Sequence, residues 1–288
     1  NMPPATFAHI YRASPDLIFA GGMFPPQKAA LVEGGYEVSG RWSFASGCMA
    51  AQLVGVGIVP VDGDGKPGPG RMAVMPRAQA RIDENWDVSG MAGTGSHDLI
   101  VDRALVPEDW TFVRGGPSQR GEAIFRYPTL SFAAQVLAVV GLGIARGAIE
   151  ELRDMSAGRV SITGAPRLAD RPLVQQELGR AEAQLRAARH FFYDAMDEAW
   201  ETLQRGDAPT PEQTSLLRLS STHAARTGAE VARAVQMLTG MTGVYEASPI
   251  SQQVRDAQVL TQHAFMGDIT LQNAGAMLLG QAPLPGYL

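Results

Sequence analysis

The chain changes its hydrophobic pattern near residue 120, and this change limits what it can fold into. Before that point, glycine, proline and short apolar runs recur. After about Tyr127, long stretches repeat apolar residues at the three-to-four-residue spacing of an α-helix. A β-rich part followed by a helical part satisfies both patterns. The sequence therefore predicts an α+β protein.

The second half contains four long helical patterns. The first is TLSFAAQVLAVVGLGIARGAIEELRDMSAG, and the second covers about 171–205. The third begins at Thr210, a natural N-cap with the capping-box residue Gln213 three positions later. The fourth includes the stretch RDAQVLTQHAFMGD, which we interpret as continuous helix, and ends near Gly280. Four helices of roughly 25 to 35 residues predict an antiparallel bundle.

The first half reads as β-structure between about Ala20 and Phe112. GGYEVSGRWSF alternates as a strand pair would, and AAQLVGVGIVP and RMAVMP are typical of buried strands. DGDGKPGPG between them predicts an exposed loop. It does not fit a calcium loop, because its twelfth position is Ala73 rather than a glutamate. With QARIDENW and HDLIVDRALVP, this region holds roughly seven strands.

Composition narrows the function classes. The net charge of −5 and pI of about 5.6 argue against a basic nucleic-acid surface. One cysteine, Cys48, cannot form an internal disulfide, which fits a reducing, cytoplasmic compartment. No metal-ligand spacing such as CxxC or HExxH occurs, and we expect no metal site. The apolar run LSFAAQVLAVVGLGIA contains a serine, a glutamine and two glycines, so we interpret it as a buried helix rather than a membrane span.

Several motifs in order resemble one family. GGYEVSGRWSFASG, then NWDVSGMAGTGSHDLIVDRALVPEDW, then long helices, then MTGVYEASPISQQVRDA is similar to the acyl-CoA dehydrogenase superfamily. Within it, the chain resembles the two-component flavin-dependent monooxygenases, the group D hydroxylases. That resemblance implies a middle β-barrel domain at 20–118 and a C-terminal four-helix bundle at 119–288. It also implies that 1–19 is a remnant of the N-terminal helical region, most of which this chain lacks.

The resemblance also implies a chemistry. Relatives take reduced FMN or FAD from a separate flavin reductase, form a C4a-hydroperoxyflavin with O2, and hydroxylate a small aromatic or natural-product substrate. Two alternatives remain open on the sequence. One is an acyl-CoA dehydrogenase-like oxidoreductase, and the other is a non-catalytic flavin-fold subunit.

The resemblance places flavin contacts in two segments of the first half. Phe44, Ala45 and Ser46 match the strand edge that lies along the flavin ring, where an aromatic residue packs near the ring and hydroxyl and backbone groups bond to its rim. Thr94 and Ser96 match a glycine-hydroxyl loop near the cofactor or substrate. Taken without the family, each segment is a common turn. We expect His97, which follows this loop, to be a surface residue.

Further cofactor contacts are implied in the second half. Arg159 is the first candidate for the flavin phosphate and Arg167 the second, because a guanidinium binds phosphate through two parallel donors. The loop between the last two helices usually reaches the flavin of a neighbouring subunit, which implies a homo-oligomer, commonly a tetramer. Its matched positions are Gln236, Gly240, Gly243 and Ser248.

His263 is the candidate catalytic residue. One branch of the true dehydrogenases carries its base where this chain has Ala264, and the first bundle helix, where the other branch carries it, has no acid before Glu150. In the monooxygenases a histidine occupies the position of His263. The resemblance implies that it assists the flavin-oxygen chemistry or takes a proton from a phenolic substrate, and a histidine can do either near neutral pH.

Overall fold

A computed structural model describes residues 1–12, 14–158 and 164–288 and divides the chain into two compact units. The first unit comprises 1–88 and 92–121, and the second comprises 89–91 and 122–288.

The first unit is built on one seven-stranded sheet in the order β5-β6-β2-β1-β3-β4-β7. β1 and β3 are parallel, and the other neighbours are antiparallel. Buried side chains such as Trp42, Val54 and Leu99 form its core, and the Trp42 indole donates to the Gly57 carbonyl at 2.7 Å. Its elements are α1 (Pro4–Tyr11), β1 (Phe19–Val32), β2 (Gly35–Trp42), β3 (Leu53–Val61), β4 (Arg71–Pro76), β5 (Ala80–Asp83), β6 (Asp98–Val106) and β7 (Thr111–Phe112).

The strand predictions are confirmed with one correction. AAQLVGVGIVP and RMAVMP supply β3 and β4, and residues 62–70 between them are exposed loop. GGYEVSGRWSF, predicted as a strand pair, forms the single strand β2. The turn precedes it at Gly34, where φ is +92°, and Gly40 inside it accompanies a shift of register against β6 rather than a reversal.

The second unit consists of helices around one apolar core. Buried residues of four helices, including Leu152, Leu185, Val231 and Leu260, belong to the same cluster. The helices are α2 (Thr129–Gly158), α3 (Pro172–Gln204), α4 (Pro211–Leu238), α5 (Pro249–Thr261) and α6 (Asp268–Leu278).

The predicted start of the third helix is confirmed. The Thr210 hydroxyl accepts from the Gln213 backbone N–H at 3.2 Å, and the Gln213 side chain accepts from the Thr210 N–H at 3.0 Å. These reciprocal bonds satisfy two backbone donors that a helix start otherwise leaves unpaired.

The predicted fourth helix is wrong in its middle. RDAQVLTQHAFMGD does not form one helix: α5 ends at Thr261, a short 3-10 turn covers Ala264–Met266, and α6 begins at Asp268. The backbone of His263 is extended, with φ −64° and ψ 139°, and this residue caps the turn. A polar side chain that bonds a nearby backbone N–H competes with helix continuation, and helical spacing alone does not reveal that competition.

α2 is long and apolar enough to cross a membrane by length and composition, with a mean hydropathy of 1.8 over an 18-residue window. Nevertheless 44% of that window is buried inside the protein. Ala134, Ala138 and Leu142 lie in the core of the second unit, as expected for a core helix.

Candidate functional site

Phe44 lies at the turn that follows β2, in an unusual backbone conformation. Its φ is +61°, and its side chain is 69% exposed. The left-handed region costs a bulky residue about 1–2 kcal/mol. The ring meets the Trp86 ring edge to face, with centroids 6.1 Å apart and planes at 89°. A strained, exposed aromatic residue such as Phe44 is a feature to explain by binding rather than by core packing. The sequence showed no signal that singles out Trp86 as the partner.

Backbone hydrogen bonds hold this turn against residues 94–97. The N–H of Ala45 donates to His97 O at 3.0 Å, and the N–H of Gly47 donates to Thr94 O at 2.8 Å. The N–H of Ser46 donates to Phe44 O at 2.9 Å. These three donors therefore have acceptors inside the protein, so the turn offers a ligand its side chains rather than these N–H groups.

Three side-chain hydroxyls at this turn form a connected series of hydrogen bonds. Ser46 Oγ lies 2.7 Å from Ser96 Oγ, which lies 2.8 Å from Thr94 Oγ1. Ser96, the middle hydroxyl, is 4% exposed, whereas Ser46 is exposed, so a buried hydroxyl orients one at the surface. An exposed aromatic face beside oriented hydroxyls fits a flat ring with a hydrogen-bonding rim, the chemistry of a flavin.

We expect Ser96→Ala to weaken binding of reduced flavin by about tenfold, because the buried hydroxyl that orients Ser46 is lost. Anaerobic fluorescence or absorbance titration with reduced FMN and reduced FAD measures this. Ser118→Ala, in the 113–121 loop, is the matched control and should bind as wild type does. Equal affinity in both variants would show that the hydroxyl chain does not contact the flavin.

His97 is not the surface residue that the sequence suggested. It is half-buried, and its Nδ1 accepts the backbone N–H of Trp86 at 3.0 Å. The neutral ring therefore carries its proton on Nε2. His97 holds the backbone of Trp86, which in turn supports the Phe44 ring.

The predicted loop contacts lie together in the second unit. The Gln236 side-chain amide donates to Gly243 O at 2.9 Å, and Gly240 has φ +59°. Ser248 precedes α5 as its N-cap residue, without a side-chain cap bond. The loop exposes four large apolar side chains, each at least 63% exposed: Met237, Met241, Val244 and Tyr245.

Of the two arginines predicted to bind the flavin phosphate, the structure describes one. Arg159 lies outside the described residues. Arg167 is exposed, and both of its fork nitrogens bond Asp170, at 2.8 and 3.2 Å. These bonds orient the Nε edge of the guanidinium towards Asp170, and the remaining donors are on Nη1 and Nη2.

His263 has a defined hydrogen-bonding state. Its Nδ1 accepts the backbone N–H of Phe265 at 3.2 Å, and the two rings are in contact with centroids 4.9 Å apart. Although His263 is exposed overall, partial desolvation of its ring lowers the pKa of His263 below its ordinary value of 6.5, which favours the neutral ring. In that state Nδ1 is the acceptor, and Nε2 carries the proton. Nε2 is the atom that can donate a hydrogen bond to a ligand.

Residues 135–268 match the family described as acyl-CoA dehydrogenase, C-terminal domain. The indole-3-acetate monooxygenase of Pseudomonas putida is 60% identical over 287 residues, covering 100% of this chain and 74% of that protein. That of Acinetobacter baumannii is 50% identical over 288 residues, with the same coverage of 100% and 74%.

Solved structures show the same fold. XiaF from Streptomyces sp., in complex with FADH2 and glycerol, matches with a TM-score of 0.92 and 21% identity. The match covers 100% of this chain and 75% of that chain. At this level of identity the match establishes the fold.

Proposed function

Because the chain belongs to the two-component flavin-dependent monooxygenases of the acyl-CoA dehydrogenase superfamily, we propose that its substrate is indole-3-acetate or a closely related indole carboxylate. Members of this family use reduced flavin and O2 to hydroxylate aromatic compounds. The 60% identity to an indole-3-acetate monooxygenase over the whole chain is the observation that carries the choice of substrate. It also disfavours the dehydrogenase and non-catalytic alternatives.

The residues of the two units have separate tasks in this proposal. When bound, reduced flavin supplies two electrons to O2, so that one oxygen atom enters the substrate and the other leaves as water. In the first unit, Phe44 packs on the ring, Ala45 holds the turn, and the hydroxyls of Ser46, Thr94 and Ser96 bind its rim. FMN and FAD carry the same ring, and the same contacts would hold either.

In the second unit, His263 would hold a proton at Nε2 and could donate it as a hydrogen bond to a ligand bound there. The occupied Nδ1 supports a donor rather than a base. The positions Gln236, Gly240, Gly243 and Ser248 contact the cofactor in this proposal. Arg159 remains a proposed phosphate ligand.

The substrate assignment is tested with labelled oxygen. The purified protein is mixed with a flavin reductase, NADH, FMN or FAD, ¹⁸O₂ and one of three compounds: indole-3-acetate, indole or resorcinol. We expect one ¹⁸O atom in the product from indole-3-acetate, detected by mass spectrometry. We expect at least about tenfold less product from indole, which lacks the carboxylate. Product from resorcinol but none from indole-3-acetate would contradict the proposed substrate, while the assignment as a flavin-dependent hydroxylase would stand.

The remaining assignments belong to the same proposal. They are a middle β-barrel domain at 20–118, a C-terminal four-helix bundle at 119–288, a short N-terminal remnant at 1–19, a cytoplasmic location and a homo-oligomer, commonly a tetramer. The exposed apolar side chains of the loop before α5 support an oligomer, because isolated monomers rarely expose such clusters. Sedimentation equilibrium of the purified protein tests the oligomer, and a monomer would contradict it.

A further inference from the structure

Arg218 on α4 is a buried cation without a carboxylate partner. Its side chain is 5% exposed, and within the described residues no carboxylate forms an ion pair with it. Its Nε has no hydrogen-bond partner. Burying an uncompensated charge is costly, and replacing it with an apolar residue of similar volume often stabilises a protein. The position therefore calls for an explanation other than stability.

Two aromatic rings take the place of the missing carboxylate. The guanidinium carbon lies 5.4 Å from the Phe265 ring centroid and 5.2 Å from that of Tyr287. One terminal nitrogen donates to the Tyr287 carbonyl at 2.8 Å. Arg218 thus links the segment after α6 to the turn that contains Phe265, through contacts that are attractive for a cation on a ring face.

Phe265 is also the residue that holds His263. Its N–H donates to His263 Nδ1, and its ring packs against the imidazole. Its carbonyl accepts from the hydroxyls of Thr222 and Thr270 at 3.2 and 3.3 Å. The chain of contacts from Arg218 to the imidazole has a single intermediate side chain.

We propose that Arg218 is a positioning residue for His263: it fixes the Phe265 ring, and Phe265 fixes the imidazole so that Nε2 remains the donor. This rests on the proposed role of His263 in oxygen transfer. Contact with the Phe265 ring excludes water from part of the imidazole, and this desolvation holds the pKa of His263 below its ordinary value.

The other charged groups around the turn are already paired. On α4 and α6, Arg226 and Asp268 form an ion pair at 2.7 Å, and Arg226 also donates to the Met266 carbonyl. On α5, Asp256 accepts the Met91 backbone N–H at 2.5 Å. Arg218 is the buried cation among them, and the Phe265 ring lies between it and His263.

The test measures the pKa of His263 directly, by hydrogen–deuterium exchange at the imidazole C2 position followed by mass spectrometry. Arg218→Met removes the cation that holds the Phe265 ring and keeps much of the volume, and we expect it to raise the pKa of His263 towards its ordinary value, because the released ring shields the imidazole less. Arg218→Lys keeps the charge and should leave this pKa near that of wild type. Arg233→Met, at an exposed position of the same helix, is the control and should change nothing.

Oxygen transfer supplies the second readout. The share of consumed O2 that appears in product should fall about tenfold in Arg218→Met, with substrate KM within about twofold of wild type. Its melting temperature should match or exceed that of wild type. A purely structural role would instead lower the melting temperature and the yield together, and would overturn the proposal.

The outcomes separate this proposal from the proposed function. An unchanged His263 pKa in Arg218→Met overturns the positioning role, whatever the activity. If Arg218→Met does not fold, Phe265→Leu carries the same expectation of a raised His263 pKa, because it removes the ring that shields the imidazole. If Arg218→Met raises the pKa of His263 but His263→Ala still gives the full product yield, the positioning role of Arg218 stands and the catalytic role of His263 is rejected.

Discussion

Replacing His263 with alanine should lower the yield of hydroxylated product per O2 consumed by about 100-fold or more, the range expected for loss of a positioned proton-handling group. Reduced flavin should still bind, within about threefold of wild type, because the proposed ring contacts are made by Phe44, Ser46 and Ser96. The unused reducing equivalents should appear as hydrogen peroxide. Oxygen uptake, peroxide assay and product analysis on one sample measure all three quantities.

His263→Asn separates the two roles of this side chain. Asparagine is a good capping residue, and its Oδ1 can accept the Phe265 N–H as Nδ1 does, but it has no atom at the position of Nε2. We expect the Asn variant to be as inactive as the Ala variant. It should keep the stability of wild type, whereas Ala loses about 1 kcal/mol of capping. An active Asn variant would show that product formation depends on the capping bond to the Phe265 N–H and not on the Nε2 donor.

The pH dependence follows from the lowered pKa of His263. The neutral ring persists as the pH falls through 6.5, the ordinary value. Below the lowered pKa, Nδ1 gains a proton and can no longer accept the Phe265 N–H. The product yield should therefore stay level through 6.5 and fall only at lower pH, and His263→Asn should lack this step. His190→Ala, at an exposed position of α3, is the control.

The parts of the fold that the sequence predicted are those set by local chemistry. The buried runs of β3 and β4 and the loop between them were predicted because apolar residues and turn residues separate cleanly along the chain. The capping box at Thr210 was predicted because its two bonds join residues three positions apart. The break at His263 was missed because the flanking apolar residues keep helical spacing on both sides of it.

The residue types of the candidate site suit a flavin, but the sequence pattern alone did not show which residues form the site. Phe44, Ser46, Thr94 and Ser96 do lie together in the first unit, but their identification came from a resemblance, not from spacing. No pattern in the neighbouring sequence predicts that Trp86 contacts Phe44, or that Arg218 contacts Phe265. These contacts join segments that are distant along the chain, and their partners are set by how the strands and helices pack.

The crossing of α2 and α4 depends on a pair of glycines, and this gives the prediction with the largest effect on stability. A Cβ atom at Gly228 would lie 2.7 Å from the Gly141 carbonyl carbon and closer still to its oxygen. A Cβ at Gly141 would lie 3.1 Å from the Cα of Ala225. The two backbones are therefore in direct contact, and backbone atoms cannot rotate away as a flexible side chain can.

Gly228→Ala should destabilise the protein by about 3 kcal/mol and lower its melting temperature by about 10 °C, because the helices must separate to admit one methyl group. Gly143→Ala is the matched control: it lies on α2 with nothing within 4 Å of the added atom. There the same substitution should stabilise by up to about 1 kcal/mol, through helix propensity and a less flexible unfolded chain. Thermal unfolding followed by circular dichroism gives both values. Since α4 carries Arg218, a Gly228→Ala protein that still folds should also show reduced product yield. A Gly228→Ala protein with the melting temperature of wild type would mean that the two backbones are not in contact at this crossing.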